Sequence, residues 1–227
     1  MVKAKKQALG RGLSALMPDK PIFEETSPHY EELKSLLYLE EYAAARASTL
    51  TAFYTPPEVI DAMYTALRKM GVGAGTILEP SMGVGAFFGQ SHSYLYEPTT
   101  RLFGVELDSL TGRIARQLYQ KANIQITGFE KADLPDSFFD VVIGNVPFGD
   151  YSVVDPQYNR LHFKIHDYFF AKSIDKLRTG GIIAFITTSG TLDKKSEEVR
   201  KYINARCDFI GAVRLPDSTF KSAGTKA

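Results

Sequence analysis

The chain has 227 residues, 44% hydrophobic and 23% charged, and its 27 Lys and Arg against 26 Asp and Glu leave a formal net charge of +1. This composition is typical of one globular domain with an appendage and excludes a fully disordered protein. The longest apolar run, residues 182–186, is far too short to span a membrane. A single cysteine, Cys207, excludes an internal disulfide and a cysteine-based zinc site. With no secretory signal pattern at the start, we expect a cytoplasmic location.

Charge is segregated at the amino end of the chain. Residues 1–22 carry five basic side chains against one acid and predict a mobile basic tail. Residues 23–50 are acidic, and Leu33, Leu36 and Leu37 recur at helical spacing, which predicts a helix over about residues 31–47. Its acidic face is interpreted as a solvated surface without functional weight.

Residues 51–227 alternate between helix and strand patterns bounded by glycine or proline, which predicts a single α/β domain. Several strand candidates are near-continuous apolar runs, as expected of parallel strands covered on both faces. The predicted strands span residues 76–79, 102–106, 124–127, 140–144, 181–187 and 209–213. One predicted helix is capped by Thr55 and extends to Gly71. Three further helices are predicted over residues 110–122, 162–177 and 194–205.

The first chemically informative segment is a strand that runs through Glu79 and Pro80 into a turn with Gly83 and Gly85. Glycines at such a turn let backbone N–H groups approach a ligand at the edge of a doubly wound sheet. The segment is neither a dinucleotide fingerprint, since Phe88 occupies the third glycine position, nor a phosphate-binding P-loop. Taken alone, the segment favours an ordinary glycine-rich turn of an α/β protein.

The next predicted strand ends in Glu106, and Asp108 follows two residues later. A carboxylate at that strand end is suited to accept hydrogen bonds from both hydroxyls of a ribose. Asp108 also suits the N-cap of the following helix, so a purely structural role stays open for it.

The fourth strand leads directly into Asn145, Val146, Pro147 and Phe148. The amide oxygen of Asn145 and the carbonyl of Val146 can accept both hydrogens of an exocyclic amine, and Phe148 can stack on a flat base. Pro147 stiffens the loop. As a bare string this pattern often means only a turn, but its place after the two acidic strand ends favours a catalytic role.

These three segments, in this order, resemble the adenine-N6 DNA methyltransferases that depend on S-adenosyl-L-methionine, especially those joined to helicase-like proteins of mobile elements. The resemblance spans about residues 51–226 and implies a Rossmann-like, doubly wound methyltransferase sheet with helices on both faces, preceded by the basic tail and the helix. It implies methyl transfer to the N6 amino group of adenine in DNA, with the adenine flipped out of the duplex, by Asn145, Val146, Pro147 and Phe148. The cofactor-binding residues that it implies are Tyr54, Thr55, Pro56, Glu79, Pro80, Gly83, Gly85, Glu106, Phe129 and Glu130.

Two departures from the family pattern stand out. Most such enzymes have proline where this chain has Val146, which keeps the backbone acceptor but loosens the loop. The family also continues, beyond the position of Ala227, into a further hairpin strand and a domain that reads the target sequence. We therefore expect a methyltransferase domain incomplete at its carboxyl end, with a helicase-like or target-recognition module as a partner.

Alternatives remain open at this point. The same motif geometry serves an N-methyltransferase acting on protein glutamine or RNA, and the missing carboxyl-terminal elements suit a non-catalytic remnant that binds cofactor or DNA. Residues 8–16 also resemble the amino-terminal peptide of ParB-type partition proteins, which stimulates a partner ATPase. A basic tail that contacts phosphates is the favoured interpretation there.

Aromatic residues after the Asn145 segment offer two interpretations. Tyr151, Tyr158 and Phe163 can border a flipped base or pack in the core. The four histidines lack partners at metal-ligand spacing, so we predict no metal site.

Overall fold

The computed structural model describes residues 30–36, 38, 55–73, 75–94 and 99–220. The chain divides into two compact units, Met1–Ala52 and Phe53–Ala227. In the first unit, helix α1 (Tyr30–Leu36) agrees with the start of the predicted helix. The rest of that helix, the basic tail with its partition-like peptide, and Tyr54 lie outside the described residues.

The second unit is built on a five-stranded parallel sheet with the order β3-β2-β1-β4-β5. Its strands are β1 (Thr76–Glu79), β2 (Arg101–Glu106), β3 (Asn123–Ile126), β4 (Phe139–Asn145) and β5 (Leu177–Ile186). Strand β1 pairs with β2 on one side and β4 on the other, so the strand order reverses beside it. Ligands bind at such a switch point, outside the carboxyl ends of the strands.

Helices cover both faces of the sheet, as the sequence predicted. They are α2 (Pro57–Lys69), α3 (Ala86–Tyr94), α4 (Ser109–Leu118), α5 (Ile165–Lys176) and α6 (Glu198–Asn204). Successive strand residues point to opposite faces, and Ile77 and Leu78 of β1 accordingly join two different core clusters. The first cluster includes apolar residues of α2, α3 and α4, whereas the second includes those of α5.

The predicted sixth strand is wrong, because residues 208–216 have no regular structure. Phe209, Ile210 and Val213 in this segment are exposed. Apolar β-formers give a strand only where a neighbouring strand pairs with them and a core covers them.

Several helix boundaries also differ from the prediction, and α4 ends at Leu118 rather than 122. The N-cap of α2 is Pro56 rather than Thr55, because Pro57 keeps the preceding residue extended, and no side chain caps this helix. Helix α5 begins at Ile165 rather than 162, since His162 has a left-handed φ of 51° that no right-handed helix contains. Helix α6 begins at Glu198 rather than 194. Within the described segments, no helix is both long and apolar enough for a membrane span.

Candidate active site

The turn after β1 depends on two glycines for different reasons. Gly83 and Gly85 have φ of +56° and +84°, which side-chain-bearing residues rarely adopt. A Cβ at Gly85 would overlap the ring of Tyr119, whose hydroxyl donates to the Gly85 carbonyl at 2.6 Å. A Cβ at Gly83 would meet no atom within 4 Å. Gly85 therefore faces the protein, whereas Gly83 leaves open space at the switch point.

Glu79 ends β1 as a buried carboxyl group with an unsatisfied oxygen. It is 2% exposed, and its Oε2 has no hydrogen-bond partner among the described residues. Burial raises the pKa of Glu79 well above its ordinary value, the neighbouring Glu106 raises it further, and backbone amides of Phe88 and Phe87 at the start of α3 lower it in part. A buried acceptor of this kind suits a ligand that brings a cation or a donor.

Glu106 connects the end of β2 to the glycine turn. Its Oε2 accepts from the Gly83 amide and its Oε1 from the Asp108 amide, both at 2.8 Å. Burial raises the pKa of Glu106 above its ordinary value. Asp108 itself accepts from the Thr111 amide at 2.7 Å as the N-cap of α4, which confirms the structural role considered for it.

The Asn145 loop (residues 145–150) leaves β4 beside this turn. The Ser81 hydroxyl donates to the Asn145 carbonyl at 2.9 Å, and the Val146 amide donates to Ile186 of β5 at 3.2 Å. The Val146 side chain is buried in the second core cluster, whereas Phe148 is 37% exposed. The loop is therefore held from β1, from β5 and from the core, and it presents an aromatic ring outward.

The structure also describes the predicted cofactor residues before α2 and after β3. Phe129 is only 3% exposed, because it packs against Phe169 of α5 with ring centroids 4.9 Å apart. Glu130 follows it in a 3-10 turn after β3, and its carbonyl accepts from Lys172 at 3.1 Å. Thr55 is buried and Pro56 partly buried immediately before α2. Helix α2 in turn contacts the start of α3, because Tyr64 donates to the Phe87 carbonyl at 3.0 Å.

Tyr158 and Phe163, two of the three aromatic residues considered after the Asn145 loop, border a cavity of about 280 Å³. Its lining comprises Ser152, Val153, Val154, Tyr158, Asn159, His162, Phe163 and Tyr168. Tyr158 is a packing residue, since it is buried and its hydroxyl donates to Asp175 at 2.6 Å. Phe163 packs edge-on against Tyr202, and Tyr151 is exposed.

Sequence reasoning missed the side chains that connect the site. Ser81, Met82 and Tyr119 are not among the predicted site residues. Tyr119 closes over Gly85, and Met82 lies so close to Gly104 that a Cβ there would overlap it. No local signal marks these contacts, since they join residues on separate elements. No group of three or more His, Cys, Asp or Glu in the described segments is suitably placed to hold a metal ion.

A parallel sheet of this order, with acidic residues ending β1 and β2 and an Asn-x-Pro-Phe loop after β4, defines a Rossmann-like methyltransferase fold. The methyltransferase subunit of a type I restriction-modification system from Streptococcus thermophilus has this fold. It superimposes with a TM-score of 0.56 at 19% identity, over 84% of this chain and 51% of that one.

The chain belongs to the N-6 DNA methylase family, whose model matches residues 30–227. It is 29% identical over 183 residues to Defense against restriction protein B of Escherichia phage P1, a match that covers 78% of this chain and 8% of that protein. It is 25% identical over 156 residues to the uncharacterized protein YtxK of Bacillus subtilis, covering 63% and 46% respectively. The chain thus spans less than half the length of either curated relative.

Proposed function

We propose that this chain transfers a methyl group from S-adenosyl-L-methionine to the N6 amino group of adenine in DNA. The observation that carries the proposal is the meeting of three strand ends at one sheet edge. Glu79, Glu106 and Asn145 end β1, β2 and β4, and Ser81 connects the first of these to the third. Membership of the N-6 DNA methylase family supports the choice of adenine and of DNA.

The residues at the switch point fit this cofactor, which carries a sulfonium, an ammonium group and two vicinal ribose hydroxyls. The buried Oε2 of Glu79 lacks a partner in the described structure and suits a cationic or donor group, and Glu106 is placed to accept from hydroxyls. Gly83 leaves room for close approach. When bound, the cofactor supplies the electrophilic methyl group.

Three flanking segments complete the proposed cofactor site. We assign Tyr54, Thr55 and Pro56 to the methionine end of the cofactor. We assign Pro80 to the cofactor-binding turn after β1. We assign the adenine end to Phe129 and Glu130. Because the Phe129 ring packs in the core, the backbone of this turn and the Glu130 side chain are the groups proposed to contact adenine.

The chain's own catalytic contribution is positioning. The side-chain oxygen of Asn145 and the carbonyl of Val146 accept the two hydrogens of the target amine, which frees its lone pair from conjugation with the ring. Pro147 restricts the loop, and the partly exposed ring of Phe148 stacks on the base. No residue needs to form a covalent bond with the substrate.

Adenine in a duplex must leave the base stack to reach these groups, so base flipping is part of the proposal. The proposed partner is therefore DNA, together with a helicase-like or target-recognition module. The name of the phage P1 relative, Defense against restriction protein B, supports a modification role on DNA that is exposed to restriction.

The test is incubation of the purified chain with radiolabelled cofactor and, separately, with duplex DNA, RNA or protein substrate. We expect label in DNA, recovered as N6-methyladenine after digestion, and its loss in Asn145→Ala. Label found only in RNA or protein would overturn the DNA assignment. Cofactor binding by calorimetry without transfer to any substrate would favour a non-catalytic remnant.

A further inference from the structure

The first turn of helix α5 holds the exit of the Asn145 loop. The Ile165 amide at the start of the helix donates to the Tyr151 carbonyl at 2.8 Å. Lys164, the N-cap residue of the helix, forms an ion pair with Asp150. Both partners follow Phe148 within three residues, so this helix fixes where the loop ends.

The same turn also holds the loop that follows β5, here called the Thr187 loop (residues 187–194). Asp167 of α5 forms an ion pair with Lys194 at the end of that loop. His166 lies beside Gly190 of the loop, where an added Cβ would be 3.5 Å from its Nε2. The Thr187 loop begins next to Asn145, since Asn145 and Ile186 are paired in the sheet.

The groups of α5 in these contacts are buried and incompletely satisfied, whereas the Lys194 side chain is 23% exposed. Asp167 is 1% exposed and His166 is 7% exposed. Asp167 Oδ1 and both His166 ring nitrogens have no hydrogen-bond partner within the described residues. Burial lowers the pKa of His166, Asp167 raises it in part, and Lys194 and Lys164 lower it further, which disfavours a charged ring. The ion pair with Lys194 balances the charge of Asp167.

An arrangement of this kind is poorly explained by stability alone. An ion pair gains little whether it is buried or partly exposed, and unsatisfied buried polar atoms are unfavourable. The effect of this pair is geometric, because it ties the Thr187 loop to the first turn of α5, which also holds the exit of the Asn145 loop. These two loops leave neighbouring strands at the candidate active site.

We propose that Asp167 and Lys194 are positioning residues for methyl transfer, which hold the Thr187 loop against the first turn of α5 and so beside the Asn145 loop. Neither residue touches the reacting atoms. The inference rests on the proposed function, because it assigns these residues to the same reaction.

The kinetic test compares Lys194→Met, Asp167→Asn and the charge-retaining Lys194→Arg in the full chain. We expect single-turnover methyl transfer to DNA to slow by about 10- to 100-fold in the first two, since misplacement by 1 Å costs on this order. Lys194→Arg restores most of the rate, and cofactor affinity stays within about twofold because Glu79 and Glu106 are on other strands. The matched control is Lys201→Met, which removes the exposed ion pair with Glu197 on the neighbouring helix.

Loss of transfer that merely follows the loss of folded protein in a thermal unfolding scan would overturn the inference. Rates of Lys194→Met and Asp167→Asn close to that of the wild type would overturn it as well, and so would an equal loss of cofactor affinity.

Hydrogen exchange separates this inference from the proposed function. In Lys194→Met, but not in Lys201→Met, we expect amides of both the Asn145 loop and the Thr187 loop to lose protection together. Faster exchange confined to the Thr187 loop, or in neither loop, contradicts the inference. If the wild-type chain methylates no substrate, the proposed function fails, and the exchange result still decides whether the pair couples the two loops.

Discussion

The Ser81 hydroxyl donates a 2.9 Å hydrogen bond to the backbone carbonyl of Asn145. Ser81 lies in the turn proposed to hold the cofactor, and Asn145 is proposed to hold the target amine. Their bond fixes the end of β4 relative to the turn after β1, although 64 residues separate the two in sequence. In the proposed reaction, this one hydrogen bond therefore helps to set the distance between the methyl donor and the acceptor amine.

Ser81→Ala is expected to lower the free energy of unfolding by about 1 kcal/mol, as for loss of one ordinary hydrogen bond. Methyl transfer slows on the order of tenfold, because the donor and the acceptor lose a shared anchor. The control is Ser91→Ala in α3, which removes a buried hydroxyl bond to the Phe88 carbonyl of 2.7 Å. Urea unfolding and single-turnover rates check both variants, and an equal slowing in Ser91→Ala would contradict the role of Ser81.

Glu79→Gln is expected to stabilise the protein at neutral pH while weakening cofactor binding. The folded-state pKa of Glu79 is raised by burial, so the folded chain retains a proton that the unfolded chain releases near pH 4.3 to 4.5. Its contribution to stability is therefore full below the unfolded pKa and declines as the pH rises through the folded pKa. Denaturant unfolding from pH 4 to 8 should show a flatter decline in the variant.

Cofactor binding should respond to pH with the opposite sign. A cationic ligand next to Glu79 favours its carboxylate, so the affinity of the wild type is expected to rise with pH and binding to release a proton. Calorimetry in buffers of different ionisation enthalpy measures that proton. In Glu79→Gln the affinity falls at least tenfold and the proton release disappears; an unchanged affinity would remove Glu79 from the cofactor site.

The two glycines of the first turn offer a matched pair of substitutions. Gly85→Ala is expected to lower stability by several kcal/mol, because the new methyl group overlaps Tyr119 and the backbone is left-handed. Gly83→Ala costs only about 1 to 2 kcal/mol, the backbone penalty, since its Cβ enters open space. If that space admits the cofactor, Gly83→Ala weakens cofactor binding more than its small loss of stability accounts for, whereas Gly85→Ala mainly loses stability. Thermal unfolding measures the stability of both variants, and calorimetry measures their cofactor affinity.

Lys172→Met tests a buried ion pair beneath the same edge of the sheet. Lys172 and Tyr168 of α5 donate hydrogen bonds to the Asp155 carboxylate at 3.0 and 2.8 Å. Lys172 and Asp155, which form the ion pair, are both buried. Removing the cation should cost about 3 to 5 kcal/mol, against less than about 1 kcal/mol for the exposed pair removed in Lys201→Met. Similar losses in the two variants, measured by denaturant unfolding, would contradict the burial argument.

The pH dependence of that pair has a definite sign. Burial alone would raise the pKa of Asp155, but hydrogen bonds from Tyr168 and Lys172 lower it overall. Its contribution is therefore present above the unfolded pKa, near 3.9, and is lost as the pH falls through the folded pKa. Unfolding of the wild type below pH 4 should be steeper than that of Lys172→Met.

The sequence predicted five of the strands because each is a short apolar run with glycine or proline at its ends. Since carboxyl ends of parallel strands share one edge, the meeting of Glu79, Glu106 and Asn145 followed from those strands. The contacts of Ser81 and Tyr119 could not follow, because they join residues 64 and 34 positions apart. The strand predicted over residues 209–213 is wrong for a related reason, since strand propensity is local but a strand needs a neighbouring strand to pair with.

Val146 occupies the position where most such enzymes carry proline, and its side chain is buried with Leu78, Val142 and Tyr168 in the second core cluster. The place of its carbonyl is thus governed by hydrophobic packing and by the hydrogen bond of its amide to Ile186, and not by a proline ring. We therefore expect this position to accept only apolar residues of similar volume. The residues that pack against it in this cluster are expected to covary with it.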